Sequence, residues 1–126
     1  INDSKATNAN ATAKAIVTYP DAYWIVGGRA KETGLDGLED KLDNITHAFI
    51  IGEAEEEFAK WCEGKVSFTR CGTLEVALKK AAIMAEGNRG STVLLSPACA
   101  SWDQFDSFEA RGDTFIQLVH DLTNQR

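Results

Sequence analysis

Ser91-Thr92-Val93-Leu94-Leu95-Ser96-Pro97-Ala98-Cys99-Ala100-Ser101-Trp102-Asp103-Gln104-Phe105-Asp106-Ser107-Phe108 decides the fold. The apolar run Val93-Leu94-Leu95 has the length and bulk of a fully buried strand. The chain then breaks into small residues around Pro97, with Ser96 at the strand end and Ser101 just beyond it. A Trp-Asp-Gln-Phe segment follows, and a helix begins near its end. Open α/β sheets bind ligands outside the carboxyl ends of their strands. A strand ending in hydroxyls and small residues suits that place, since it leaves room and offers O–H and N–H donors.

Working outward, the rest of the chain repeats this pattern. Ala9 to Tyr19 reads as a helix, with Thr7 or Asn8 as its N-cap, Ala13, Ile16 and Val17 on one side, and Pro20 ending it. Ala22 to Val26 is a short apolar strand closed by Gly27-Gly28, with Lys31 in the loop beyond. Leu35, Leu38 and Leu42 place a short helix over Glu32 to Leu42, although Gly34 and Gly37 weaken it. Thr46 to Ile51 is a second strand, Glu53 to Cys62 a helix and Val66 to Thr69 a third strand. Thr73 caps a helix from Leu74 to Glu86, whose Leu74, Ala77, Leu78, Ala81 and Ala85 form a buried stripe. Thr92 to Leu95 is the fourth strand. Phe115, Leu118, Val119 and Leu122 mark the core face of the last helix.

One helix followed by four strand–helix units predicts a single α/β domain over residues 1–126, Rossmann-like, with a mostly parallel sheet and helices on both faces. The loops after Val26, Ile51, Thr69 and Leu95 then share one edge. Lys31 and Ser101 meet there, joined by Thr7 if its helix starts at that edge. A lysine beside a helix N-terminus, as Lys5 is, suits an anion.

Composition excludes several functions. The 126 residues carry a net charge of −6, which disfavours a nucleic-acid backbone as partner. The chain has no apolar run of the ~18 residues that span a bilayer, and its start lacks the marks of a signal peptide. Beginning at Ile1 rather than Met, it reads as a piece of a longer protein. Cys62, Cys71 and Cys99 read as reduced, buried thiols rather than a metal or catalytic set. Glu55-Glu56-Glu57 reads as a solvated helix start, and His47 and His120 as structural or surface residues. The loops contain neither Gly-x-Gly-x-x-Gly nor Gly-x4-Gly-Lys-Ser/Thr, so they offer no dinucleotide or triphosphate cradle.

Asn2-Asp3-Ser4-Lys5-Ala6-Thr7-Asn8, Gly27-Gly28 with Lys31, Leu94 through Phe105, and Phe108-Glu109-Ala110-Arg111-Gly112-Asp113 together resemble the Mur ligase family. The likeness is to the C-terminal domain of its D-glutamate-adding members, the UDP-N-acetylmuramoyl-L-alanine:D-glutamate ligases, and covers essentially the whole chain. It implies a cytoplasmic enzyme of peptidoglycan synthesis with three domains, of which the N-terminal and ATP-binding central ones are absent here. ATP and Mg2+ would be held mainly by the central domain. The resemblance makes Thr7, Lys31 and Ser101 contacts to D-glutamate and Phe108 a contact through its N–H. Trp102 takes a pocket position usually held by another apolar residue. Asp3 becomes a contact to the ATP ribose, and Lys5 lies near the phosphate and reacting carboxyl, the nearest to a catalytic role. The implied chemistry is phosphorylation of the carboxyl of UDP-N-acetylmuramoyl-L-alanine, then attack by the D-glutamate amine with loss of phosphate. This piece would be inactive alone. Read without the resemblance, the residues also fit a stand-alone Rossmann-like nucleotide-binding module, or a folded domain with an empty site.

Overall fold

Alternate residues of one fully buried strand, Ala22–Gly27 (β1), supply both faces of the central sheet. Ala22, Trp24 and Val26 point to one face, and Tyr23 and Ile25 to the other, as the period of two requires. The computed structural model describes residues 1–30 and 34–124. The remaining strands are Arg29–Ala30 (β2), Ile45–Ile51 (β3), Phe68–Gly72 (β4), Thr92–Leu95 (β5) and Cys99–Ala100 (β6). The helices are Ala9–Thr18 (α1), Glu55–Cys62 (α2), Leu74–Glu86 (α3) and Phe108–Asn124 (α4).

The main sheet has the order β4-β3-β1-β5 with every pairing parallel. Residues from α1 and α2 pack with Trp24, Val26, Ala48, Ile50 and Leu94 on one face. Residues from α3 and α4 pack with Tyr23, Ile25, Phe49, Ile51 and Leu95 on the other. This is the three-layer, Rossmann-like α/β arrangement that the sequence predicts. Outside β5 the chain start runs parallel to it: Leu95 N–H donates to Ile1 O at 2.9 Å and Asp3 N–H to Leu95 O at 2.7 Å. Asp3 therefore ends at the same edge as β5, and α1 starts from that edge.

Where local signals are strong, the elements fall as expected. Asn8 caps α1 by accepting the Ala11 N–H at 2.9 Å. Thr73 accepts the Val76 N–H, and α3 stops at Gly87. Elsewhere the structure corrects the expectation. The described part of the Glu32–Leu42 segment is not a helix. It is a run of turns in which Leu38 N–H bonds Leu35 O and Lys41 N–H bonds Leu38 O. Gly34 and Gly37 take φ of +54° and +95°, left-handed values that break a right-handed helix. Leu35 and Leu38 are still buried, so their spacing reports core contact without a helix. Among the described residues three strand–helix units remain, β3–α2, β4–α3 and β5–α4.

The strand expected at Val66–Thr69 is displaced to Phe68–Gly72, because Lys65 and Val66 N–H groups both turn back to Cys62 O. Helix α2 starts at Glu55 rather than Glu53: Glu55 N–H closes a turn onto Gly52 O, and Ala54 is the N-cap. Within the triple-Glu run, Glu55 is not simply solvated: it accepts from Arg70 Nε at 2.8 Å. Val17 is 54% exposed and Val119 39% exposed, so neither belongs to its helix's core face, and Ala85 is half-buried. On α1 the buried residues are Ala9, Thr12 and Ile16.

Candidate functional site

Four loops leave the carboxyl edge of the sheet, and main-chain bonds stitch them together. Gly27 N–H donates to Pro97 O at 3.0 Å, Ala54 N–H to Gly28 O at 2.9 Å and Gly52 N–H to Gly72 O at 2.9 Å. Two side chains from the loop after β5 add to this. Asp103 Oδ2 accepts the Glu53 N–H at 2.9 Å, and Gln104 Nε2 donates to Gly72 O at 2.8 Å. Gly52 permits the close packing. A Cβ there would lie 2.5 Å from Asp103 Oδ2 and 2.7 Å from Gly28 Cα.

A small antiparallel ladder, unforeseen from the sequence, lies beyond this layer. Arg29 faces Ala100 and Ala30 faces Cys99. It joins the segment that leads into Lys31 to the segment that leads into Ser101. Lys31 itself lies outside the described residues. Ser101 is 2% exposed, and its Oγ is buried with no hydrogen-bond partner among the described residues. A buried hydroxyl left unmatched costs about 1–3 kcal/mol, so such groups need an explanation. Ala98, three residues earlier, holds φ +59°, a strained value for a residue with a Cβ. Trp102 is 64% exposed, so it forms an outer wall at most and contributes nothing to the core.

The Asn2–Asn8 loop approaches the same edge from the other side. Ser96, fully buried, donates its Oγ to Asp3 Oδ2 at 2.8 Å and lies 3.1 Å from Thr12 Oγ1. Trp24 Nε1 donates to Ser96 O at 2.8 Å, fixing that serine in turn. Asp3 and Lys5 also border an open groove of about 540 Å³ along α1, shared with Lys14 and Tyr19. Thr7 is half-buried at the head of α1. At the start of α4, Ser107 Oγ accepts the Ala110 N–H at 3.0 Å, and Phe108 occupies the first turn, where helix N–H groups lack intrahelical acceptors.

Arg111 lies within the Phe108–Asp113 motif, where sequence pattern alone assigns it no role. Arg111 is 1% exposed. Its Nε donates to Ser4 Oγ at 2.9 Å, one terminal nitrogen to Ser4 O at 2.6 Å and the other to Cys99 O at 2.9 Å. Burial lowers its pKa to about 10, so it stays charged at neutral pH. Ser4 Oγ donates onward to Phe108 O at 2.7 Å, and Asn2 Nδ2 to Gly112 O at 3.3 Å. A Cβ on Gly112 would sit 3.1–3.3 Å from Asn2 and Ser4 atoms. The available signal was an arginine one turn into α4, followed by a glycine against which a loop could close.

His47 lies between the hydroxyls of Ser67, at 3.2 Å, and Thr69, at 2.7 Å, and burial lowers its pKa. Cys62, Cys71 and Cys99 form no disulfide among the described residues, and burial raises the Cys62 thiol to about 11. Among the described residues no group of three or more His, Cys, Asp or Glu could hold a metal ion. No helix among them is long and apolar enough to cross a membrane.

No family model matches the chain. Curated proteins do. It is 60% identical over 121 residues to a protein of Paramagnetospirillum magneticum named UDP-N-acetylmuramoylalanine–D-glutamate ligase, covering 94% of this chain and 26% of that protein. Proteins of the same name from Nitrobacter winogradskyi and Rhodospirillum rubrum are 51% and 50% identical. They cover 97% and 100% of the chain, which matches 27% of each. The chain thus spans about a quarter of the length of the curated relatives it matches.

Proposed function

Because the chain is homologous along its length to UDP-N-acetylmuramoylalanine–D-glutamate ligases, we propose that it is the part of such a ligase that receives D-glutamate. The observation that supports this most is the buried, unmatched Ser101 hydroxyl at the carboxyl edge of a parallel sheet. A carboxylate supplies the acceptor that this hydroxyl lacks. On this reading Thr7, Lys31 and Ser101 hold the two carboxylates, Phe108 adds its N–H, and Trp102 covers the outer side. Charge-assisted bonds of this kind contribute about 1.5–3 kcal/mol each. Asp3 faces the ATP ribose, and Lys5 lies toward the phosphate and the reacting carboxyl.

The chain's own residues orient the D-glutamate amine for attack on an acyl phosphate formed from UDP-N-acetylmuramoyl-L-alanine. Attack forms the amide N–C bond, breaks the C–O bond to phosphate and releases inorganic phosphate and a proton. Positioning of this kind is an entropic contribution. Phosphoryl transfer from ATP, with Mg2+, falls to parts of the ligase outside this chain, so the chain alone has no ligase activity. The reading places its work in the cytoplasm, in cell-wall synthesis.

The test is a proton–nitrogen NMR titration of the chain with D-glutamate and, in parallel, L-glutamate. Shifts centred on Thr7, Lys31, Ser101 and Phe108, larger for the D isomer and lost in Lys31→Ala, are expected. Equal responses to the two enantiomers would overturn the reading. So would amide synthesis by this chain alone.

Ser101→Ala separates binding from stability. Removing the unmatched hydroxyl is expected to stabilise the chain by about 1 kcal/mol, raising the melting temperature by about 3–5 °C. D-glutamate shifts should meanwhile disappear. A melting temperature that falls on substitution would show that the hydroxyl serves the fold instead.

A further inference from the structure

The residues assigned to the amino-acid site come from chain segments that are far apart in sequence, and one side chain touches all but one of those segments directly or through a single bond. Arg111 bonds Ser4 twice, through Oγ and O, and so grips the loop that leads to Thr7. It bonds Cys99 O on β6, two residues before Ser101. Cys99 faces Ala30 in the β2–β6 ladder, next to Lys31 in sequence. Ser4 Oγ then donates to Phe108 O, closing a ring back to the start of α4, the helix that carries Arg111 itself.

Each of these acceptors is neutral, and the guanidinium is buried. Burying a charge is costly without full hydrogen bonding, and an apolar residue would fill the same space without that cost. A planar guanidinium, unlike an ammonium, presents several donors in a fixed fork. Here the fork sets the distance between Ser4 and Cys99, and with it the placement of the two loops.

We propose that Arg111 is a positioning residue of the amino-acid site, setting the Asn2–Thr7 loop, the β6–Ser101 segment and the Phe108 turn in register without touching the ligand. This rests on the D-glutamate reading above. Asp3 has a separate tether in Ser96, so loss of Arg111 affects the amino-acid side more than the nucleotide side.

Two variants test it. Arg111→Lys keeps the charge but replaces the three separate nitrogens that serve Ser4 Oγ, Ser4 O and Cys99 O with a single point donor on a flexible stem, losing the fixed fork. Ser4→Ala removes only the hydroxyl link and keeps the Ser4 carbonyl, which guards against a first variant that fails to fold. Both are assayed in the complete ligase. Arg111→Lys should raise the KM for D-glutamate about tenfold or more and Ser4→Ala about threefold, with the KM for ATP held within about twofold. A merely structural role would lower kcat through the folded fraction and leave both KM values alone. An unchanged D-glutamate KM in the folded variants, or an ATP KM rising in step with it, would overturn the proposal.

A wild-type ligase that forms no D-glutamate-dependent product would instead defeat the functional reading. The positioning claim would then be decided by NMR of the chain. Ser101 and Phe108 amide shifts in Ser4→Ala, with Tyr23–Val26 unmoved, support it, and unmoved Ser101 and Phe108 amides refute it.

Discussion

Gly27→Ala is expected to destabilise the chain by about 4 kcal/mol or more, enough to unfold a marginal domain. Gly27 ends β1 at φ +129°, where an L side chain is strained. Its Cβ would overlap the carbonyl oxygen of Ile51 and sit 2.9 Å from Ile51 N and C. These are main-chain atoms of the neighbouring strand, paired with Gly27 in the parallel ladder. They cannot swing aside as a side chain would, so β1 and β3 must separate where their loops begin. Gly64→Ala is the control. It has φ +77° but nothing within 4 Å of the new Cβ, and should cost only about 1 kcal/mol of backbone strain. Urea unfolding of both variants checks this. Similar midpoints for the two would show that the overlap is relieved cheaply.

Trp24→Ala should cost about 3–5 kcal/mol. The indole is fully buried between the sheet and the α1–α2 layer, so truncation removes a large apolar group and leaves a cavity. It also removes the indole donor to Ser96 O, leaving that carbonyl with the longer 3.3 Å bond from Thr12 Oγ1. Trp24→Phe keeps most of the apolar area and loses chiefly the hydrogen bond. Its cost should be smaller, at about 1–2 kcal/mol. Chemical denaturation of the two variants separates packing from the bond. Equal losses would mean that the indole N–H, not the ring volume, carries the effect.

The fold was legible wherever a local signal coincided with a tertiary one. Thr73 and Gly87 bracket α3, and the apolar stripe between them is the face that meets the sheet, so pattern and caps agree. In β1 the unbroken apolar run matches burial on both faces. Around Leu35 and Leu38 the spacing suggests a helix, but turns can bury the same spacing, and only the left-handed glycines tell them apart. Val119 looked like core from its neighbours Leu118 and Leu122, but a single helical position rotates it toward solvent.

The site was legible by place rather than by connection. The parallel topology brings the loops after β1 and β5 to one edge, so Ser101 and the Lys31 segment could be expected there together. The β2–β6 ladder and the Arg111 bonds could not, since two-residue strands and contacts to main-chain carbonyls leave little trace in side-chain pattern. Ser96 is legible as a hydroxyl at a strand end. Its bond to Asp3 depends on the chain start lying beside β5, a single-bridge pairing that leaves no trace in side-chain pattern.

That placement of the chain start also bears on how the molecule is made. Ser4 meets Arg111 at a sequence separation of 107, and Asn2 meets Gly112 at a separation of 110. During synthesis the Asn2–Thr7 loop must wait for α4 before it can settle. Local helices such as α3 can form early, but the edge that carries Asp3, Lys5 and Thr7 is assembled late, by a loop closure spanning most of the chain. Contacts so distant in sequence slow folding, and they leave the outer side of β5 without its neighbour in the meantime, open to pairing with the wrong strand.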